Sequence, residues 1–98
     1  MKLWIDDVRE APEGFMRAYS VNEAKVLIET MEKCRMPFEY IDTDHDAGDF
    51  AKDGGDYIKL LDWLEETGRK YPIRIHSMNS VGVENMRTIV EKNGWKLI

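Results

Sequence analysis

The stretch Ile41-Asp42-Thr43-Asp44-His45-Asp46-Ala47-Gly48 carries an apolar-leaning segment straight into acids at alternate positions, with a histidine among them. Carboxylates this close repel one another unless a cation sits between them or one keeps its proton. A fold does not need that arrangement, so the stretch reads as the floor of a polar site. A second acidic pair, Asp6-Asp7, ends the first apolar run of the chain. Asp6, Asp7, Asp44 and Asp46 together offer oxygen donors for a divalent cation. Mg2+ fits first, because it takes one or two carboxylates and completes its shell with water and phosphate oxygens; Mn2+ and Zn2+ are the alternatives. His45 and His76 are the only histidines. Imidazole changes charge near neutral pH, so either histidine suits proton transfer or, beside the acids, a transition metal.

Further polar residues suit an anion. Ser77 and Asn79 stand in a turn before a predicted helix, whose N-terminus presents free N–H groups. Ser80 has an equal claim as the simple cap of that helix. Arg9, just after the acidic pair, can grip a phosphate, or it can be an exposed salt-bridging arginine. The bland alternatives for the rest are solvated acids that cap loop N–H groups and hydrogen-bonded structural histidines. Asp42-x-Asp44-x-Asp46 is rejected as a calcium loop, because Ala47 stands where glycine is needed and Asp53 where glutamate is needed. The chain has no phosphate-loop lysine motif, no dinucleotide fingerprint and no paired-cysteine or HExxH metal motif.

These residues must be positioned by the elements around them. Lys2-Leu3-Trp4-Ile5 predicts a short strand, and its continuous apolar character predicts cover on both faces. Ala11-Pro12-Glu13-Gly14 is a loop, and Phe15 to Tyr19 a second strand. Ser20-Val21-Asn22-Glu23 is a capping box. The helix behind it carries Ala24, Leu27, Ile28 and Met31 on one face and stops before Pro37. Phe38 to Thr43 is a third strand that delivers the acids at its carboxyl end. Asp56 is placed to cap a second helix with Tyr57, Ile58, Leu61 and Leu64 inward and Gly68 as its stop. Ile73 to His76 is a fourth strand. A third helix runs from about Val81 to Lys92 with Val83, Met86 and Val90 inward, and Trp95 to Ile98 is a fifth strand.

Strands alternating with helices predict a parallel sheet with right-handed crossovers. The expected fold is a three-layer α/β domain over residues 1–98, its five-stranded, mostly parallel sheet in the flavodoxin-like order 2-1-3-4-5, one helix short of the full pattern. Ligands of such sheets bind outside the carboxyl ends of the strands, at the switch point. Asp6-Asp7, Asp44-His45-Asp46 and His76-Ser77 all fall there.

The chain has 98 residues, 43% of them hydrophobic, which makes one globular domain with a modest core. Its net charge of −5 argues against a duplex nucleic-acid partner, which needs clustered Lys and Arg, but leaves a small phosphate ester open. Cys34 is the only cysteine, so no internal disulfide forms; it is expected on a helix face or in the core. No run is long enough to span a membrane and the N-terminus has no signal-peptide pattern, so a cytoplasmic location is expected.

Three motifs carry a resemblance. Leu3-Trp4-Ile5-Asp6-Asp7-Val8-Arg9-Glu10-Ala11-Pro12 is similar to L-W-x-D-D-x-R-x-x-P, and Asp44-His45-Asp46-Ala47-Gly48 to D-H-D-x-G. The segment from His76-Ser77-Met78-Asn79 to Asn85-Met86 is similar to H-S-x-N-x-x-G-x-x-N-M. Together they resemble the cyclic-phosphate processing receiver-like domains, a divergent branch of response-regulator receivers. The resemblance implies a shortened receiver fold lacking the first helix. It also implies action on cyclic phosphates, such as a 2′,3′-cyclic nucleotide or RNA end. Ala47 departs from the leucine often found there, and no counterpart of the receiver lysine is visible, since Lys96 lies inside the last strand.

The expected function is thus a metal-assisted phosphoesterase. Asp44, His45 and His76 form the catalytic set, Arg9, Ser77 and Asn79 hold the phosphate, and Asp6, Asp7, Asp44 and Asp46 hold the metal. The alternative is a receiver-like binding or signalling module, with Asp44 as phosphoacceptor or with no chemistry.

Overall fold

A computed structural model describes residues 1–98. Strands β1 (Lys2–Ile5) and β2 (Phe15–Ala18) come first, followed by helix α1 (Val21–Lys33) and strand β3 (Ile41–Thr43). A 3-10 helix (Gly48–Asp53), helix α2 (Ile58–Glu66), strand β4 (Ile73–Ile75) and helix α3 (Ser80–Lys92) complete the chain. The sheet is parallel throughout, in the order β2-β1-β3-β4.

Two expectations about this sheet are corrected. It has four strands, not five: the Trp95–Ile98 segment makes only one isolated parallel bridge, Ile73 to Leu97. The fold also has two layers, not three. One face of the sheet presents Leu3, Ile5, Ala18, Ile41 and Ile73, and these join a single apolar cluster with Ala24 and Ile28 of α1, Leu61 and Leu64 of α2, and Met86 and Val90 of α3. All three helices therefore lie on one face.

The reason is the handedness of crossovers. Steps β2 to β3 and β3 to β4 move the same way across the sheet, so right-handed connections place their helices on the same side. The only reversal, β1 to β2, is made by the loop 6–14, which contains no helix. The opposite face, with Lys2, Trp4, Phe15, Arg17, Asp42 and Arg74, has no helix over it. Trp4 is 8% exposed and lies outside the apolar cluster, so the apolar run of β1 does not signal helical cover on both faces.

The helix boundaries follow local chemistry. Ser20 caps α1, its Oγ accepting from Glu23 N at 3.1 Å. Glu23 reaches back to Tyr19 N at 2.6 Å, one residue earlier than a standard capping box. The cap of α3 is Asn79, whose Oδ1 accepts from Gly82 N at 3.0 Å, so Ser80 is the first helical residue instead of the cap. Asp56 does not cap α2; its Oδ1 accepts from Ala47 N at 3.0 Å and braces the acidic loop. Tyr57 N donates to His45 O at 2.9 Å, tying the start of α2 to the same loop. Inside the helices the buried residues are Val21, Ala24 and Ile28, then Leu60, Leu61 and Leu64, then Gly82, Met86 and Val90. Gly82, not the expected Val83, is the fully buried residue in the first turn of α3, and Val83 is half-buried. Cys34 is exposed at the C-cap of α1.

Candidate functional site

The register of the sheet builds the site. Ile5, Thr43 and Ile75 lie side by side on β1, β3 and β4. The ladder runs one residue further, with Asp44 N donating to Ile5 O at 2.9 Å and His76 N to Thr43 O at 3.0 Å. Asp6, Asp44 and His76 therefore form the next rung, at the carboxyl edge. Strand alternation turns that rung to the helix-free side, the side of Trp4 and Asp42. One ligand atom from each of the three residues lies within 4.8 Å of the others.

His76 sits between two buried acids. Its Nδ1 is 2.6 Å from Asp42 Oδ1 and its Nε2 is 2.8 Å from Asp6 Oδ2. Asp6 and Asp42 are 1% and 3% exposed. The indole of Trp4 stacks on the imidazole, ring centroids 3.8 Å apart and planes 4° from parallel. Burial alone would lower the His76 pKa; the hydrogen bonds to Asp42 and Asp6 and their charges outweigh it, and the net shift is upward. The half-buried imidazole thus bridges two of the clustered carboxylates and is held toward its charged form by them.

Asp6 is also fixed from its own loop. Its Oδ1 accepts from Val8 N at 2.9 Å and Arg9 N at 2.8 Å. Burial opposes its ionisation, yet those backbone bonds and His76 prevail, so its pKa is lowered. Asp7 behaves oppositely: burial first, then the charges of Asp6 and Asp44, raise its pKa. Its carboxylate stands against Gly48, where a Cβ would collide with Oδ2. Gly48 also has φ +55°, so two separate constraints call for glycine there. Asp44 Oδ1 accepts from His45 N at 2.7 Å.

The remaining expected residues divide. Arg9 reaches the rung: its Nη1 donates to His76 O at 3.0 Å, and Trp4 Nε1 donates to Arg9 O at 3.1 Å. His45 and Asp46 form a separate pair, Nδ1 to Oδ1 at 2.8 Å, so Asp46 stands outside the Asp6–Asp44–His76 group. Asn79 Nδ2 donates to both Asp46 carboxylate oxygens at 3.3 Å while its Oδ1 caps α3. Ser77 Oγ accepts from Asn79 N at 3.1 Å. The His45 ring packs on Gly82, where a Cβ would lie 2.5 Å from His45 Cγ. That close approach docks the acidic loop on the first turn of α3.

Two residues outside the expected set, Asp42 and Trp4, complete the site. Asp42 left a sequence signal: an acid inside a strand, two positions before Asp44, shares its face and needs a partner once buried. His76 is that partner, and Arg74 stands beyond it with Nε 3.9 Å from Asp42 Oδ2. The Trp4 stack left no such signal, because it depends on which rung meets which.

A parallel α/β domain whose acids and histidine converge at the carboxyl edge beside β1 and β3 has the architecture of a receiver. The chain belongs to the cyclic-phosphate processing receiver domain family, whose model matches residues 1–92. Comparison with curated proteins and with solved structures finds no match.

Proposed function

We propose that this domain is a metal-assisted phosphoesterase that opens a cyclic phosphate, a 2′,3′-cyclic nucleotide or RNA end. The observation that carries this reading is the rung Asp6–Asp44–His76, with its ligand atoms within 4.8 Å of one another. Two carboxylates and an imidazole fit a divalent cation. The nitrogen donor favours Mn2+ or Zn2+ over Mg2+, which prefers oxygen. Asp7 adjoins the rung and is available as a further oxygen donor. A bound cation would neutralise charge on the phosphoryl oxygens and acidify an attacking water.

The protein's own groups do the rest. Arg9, tied to the His76 carbonyl, would hold a phosphate oxygen, and Ser77, next along the chain from His76, would offer its hydroxyl. In the reaction, water oxygen bonds to phosphorus, one P–O bond of the ring breaks, and the departing ribose oxygen takes a proton. His76, anchored at Nδ1 by Asp42, would offer Nε2 as the nitrogen donor, so the proton lost by the attacking water is the one the departing oxygen takes up. His45 and Asp46, held by Asn79 and Gly82, position the loop that carries Asp44.

The test is hydrolysis of 2′,3′-cyclic nucleotides with Mg2+, Mn2+ or Zn2+. Activity in the wild type that falls at least about 100-fold in His76→Ala supports the reading. Equal inertness of both proteins across the three metals removes it. In the second reading Asp44 is a phosphoacceptor; the acidic cluster of Asp6, Asp7 and Asp44 favours it. Acetyl phosphate with Mg2+ should then add one phosphoryl group at Asp44, and an unmodified protein by mass spectrometry rejects it.

A further inference from the structure

The sheet face without helices has a composition unlike the rest of the chain. The net charge of the protein is −5. This face instead gathers Lys2, Arg17 and Arg74 from the strands. Lys96 joins them, because it alternates with Leu97, which is bridged to Ile73 on the other face. The only acid in the strands on this face is Asp42, which is 3% exposed and bound to His76. It is buried, so the charges these strands present at the surface of this face are those of Lys2, Arg17 and Arg74.

Aromatic rings lie among these cations. Phe15 and Tyr40 are half-buried and meet edge to face at 5.8 Å, and Lys2 Nζ stands 5.5 Å from the Phe15 ring centroid. Arg17, Trp4, Asp42 and Arg74 form one row straight across β2, β1, β3 and β4. Trp4 in that row stacks on His76 at 3.8 Å, so the face runs without interruption into the acid–histidine rung. Arg74 is 57% exposed at its side chain, and Lys96 is exposed.

We infer that this face binds single-stranded nucleic acid and lays its 3′ end beside the Asp6–Asp44–His76 rung. Basic groups following the backbone and aromatic faces offered to bases are what unpaired strands bind. A duplex buries its bases and would gain from the charges alone. A second copy of the chain fits worse, because a two-fold contact would oppose Lys2, Arg74 and Lys96 to themselves. The inference rests on the reading above that the site acts on a cyclic phosphate, and it narrows the substrate from a free nucleotide to a strand end.

The experiment uses a fluorescein-labelled RNA of roughly eight unpaired nucleotides ending in a plain 3′-hydroxyl. Its binding is followed by anisotropy across a salt series. With no cyclic phosphate present, this reads the face without the chemistry. Hydrolysis of a 2′,3′-cyclic mononucleotide by the wild type reads the chemistry without the face, so the two failures are distinguishable. Binding should weaken as salt rises, with a log–log slope of roughly −2 to −3 for three or four phosphate contacts. Lys96→Glu and Arg74→Glu, each checked for an unchanged circular dichroism spectrum, should each weaken it at least about fivefold. Phe15→Leu should weaken it while leaving the salt slope unchanged. Absence of binding at low salt overturns the inference. So does equal competition by duplex RNA, indifference to both charge reversals, or a dimer in sedimentation that the two charge reversals dissolve.

Discussion

The indole of Trp4 lies flat against the imidazole of His76, with centroids 3.8 Å apart and planes 4° from parallel. Trp4 Nε1 meanwhile donates to the Arg9 carbonyl at 3.1 Å, and Arg9 Nη1 donates to the His76 carbonyl at 3.0 Å. The stack and the two hydrogen bonds close a ring that fixes the histidine plane. An aromatic face also favours the charged imidazole, by about 0.5–2 kcal/mol at partly buried sites. Trp4→Leu should therefore lower the His76 pKa and broaden its ring signals. Histidine side-chain NMR in chelator-treated protein reads both. A His76 titration identical to wild type would show the stack to be incidental.

Removing Asp42 should be costly. Without it His76 Nδ1 loses its partner while Nε2 keeps Asp6, and an unpartnered polar group at a largely buried site costs about 1–3 kcal/mol. Asp42→Ala is expected to shift the urea midpoint by a corresponding amount. Asp42→Asn keeps an acceptor for Nδ1 but not the charge, so it should lose less stability while still lowering the His76 pKa. Equal midpoints for wild type and Asp42→Ala would mean that the pair contributes nothing to the fold.

Gly82→Ala tests the docking of the acidic loop on α3. The added Cβ would lie 2.5 Å from His45 Cγ, so the ring must move. Overpacking of this kind costs about 1–3 kcal/mol despite the better helix propensity of alanine. Val81→Ala, one position earlier at a side chain that is 70% exposed, should change stability by less than about 0.5 kcal/mol. If Gly82→Ala melts at or above the wild-type temperature, the close approach is not a constraint.

The pH dependence of stability has a definite sign. The folded pKa of His76 is raised above the ordinary value of 6.5. Its contribution to stability is therefore fully present below that value and is lost as pH rises through the raised folded value. The folded pKa of Asp6 is lowered from 3.8, so its contribution is present above that value and is lost as pH falls through the depressed one. Metal-free protein should be most stable in the window between these limits. Urea midpoints from acid to mildly alkaline pH check this, and His76→Gln should flatten the alkaline side. A midpoint that keeps rising through neutral pH in the wild type would contradict the raised histidine value.

Local signals make most of the elements legible in the sequence. Ser20 and Glu23 marked the start of α1, and the spacing of Leu61 and Leu64 marked the buried face of α2. Acids at the ends of predicted parallel strands located the edge where Asp6, Asp44 and His76 meet. The two-layer arrangement was hidden, because a strand such as Lys2–Ile5 reads as apolar whether helices or aromatic and histidine rings cover its second face. The weak fifth strand was hidden too, since one bridge at Leu97 and a full ladder demand the same residue types. Likewise, Ser80 reads as the cap of α3, and only the path of the chain gives that role to Asn79.

What the chain determined by itself was a kind of chemistry: acids and histidines at strand ends, in an order that marks a family. Tertiary structure decided the partners. Register across β1, β3 and β4 put Asp6, Asp44 and His76 on one rung and Asp46 off it, and a strand-interior acid, Asp42, became the anchor of a histidine 34 residues away. Such pairings depend on which backbones lie next to each other, and no spacing along a single strand encodes that.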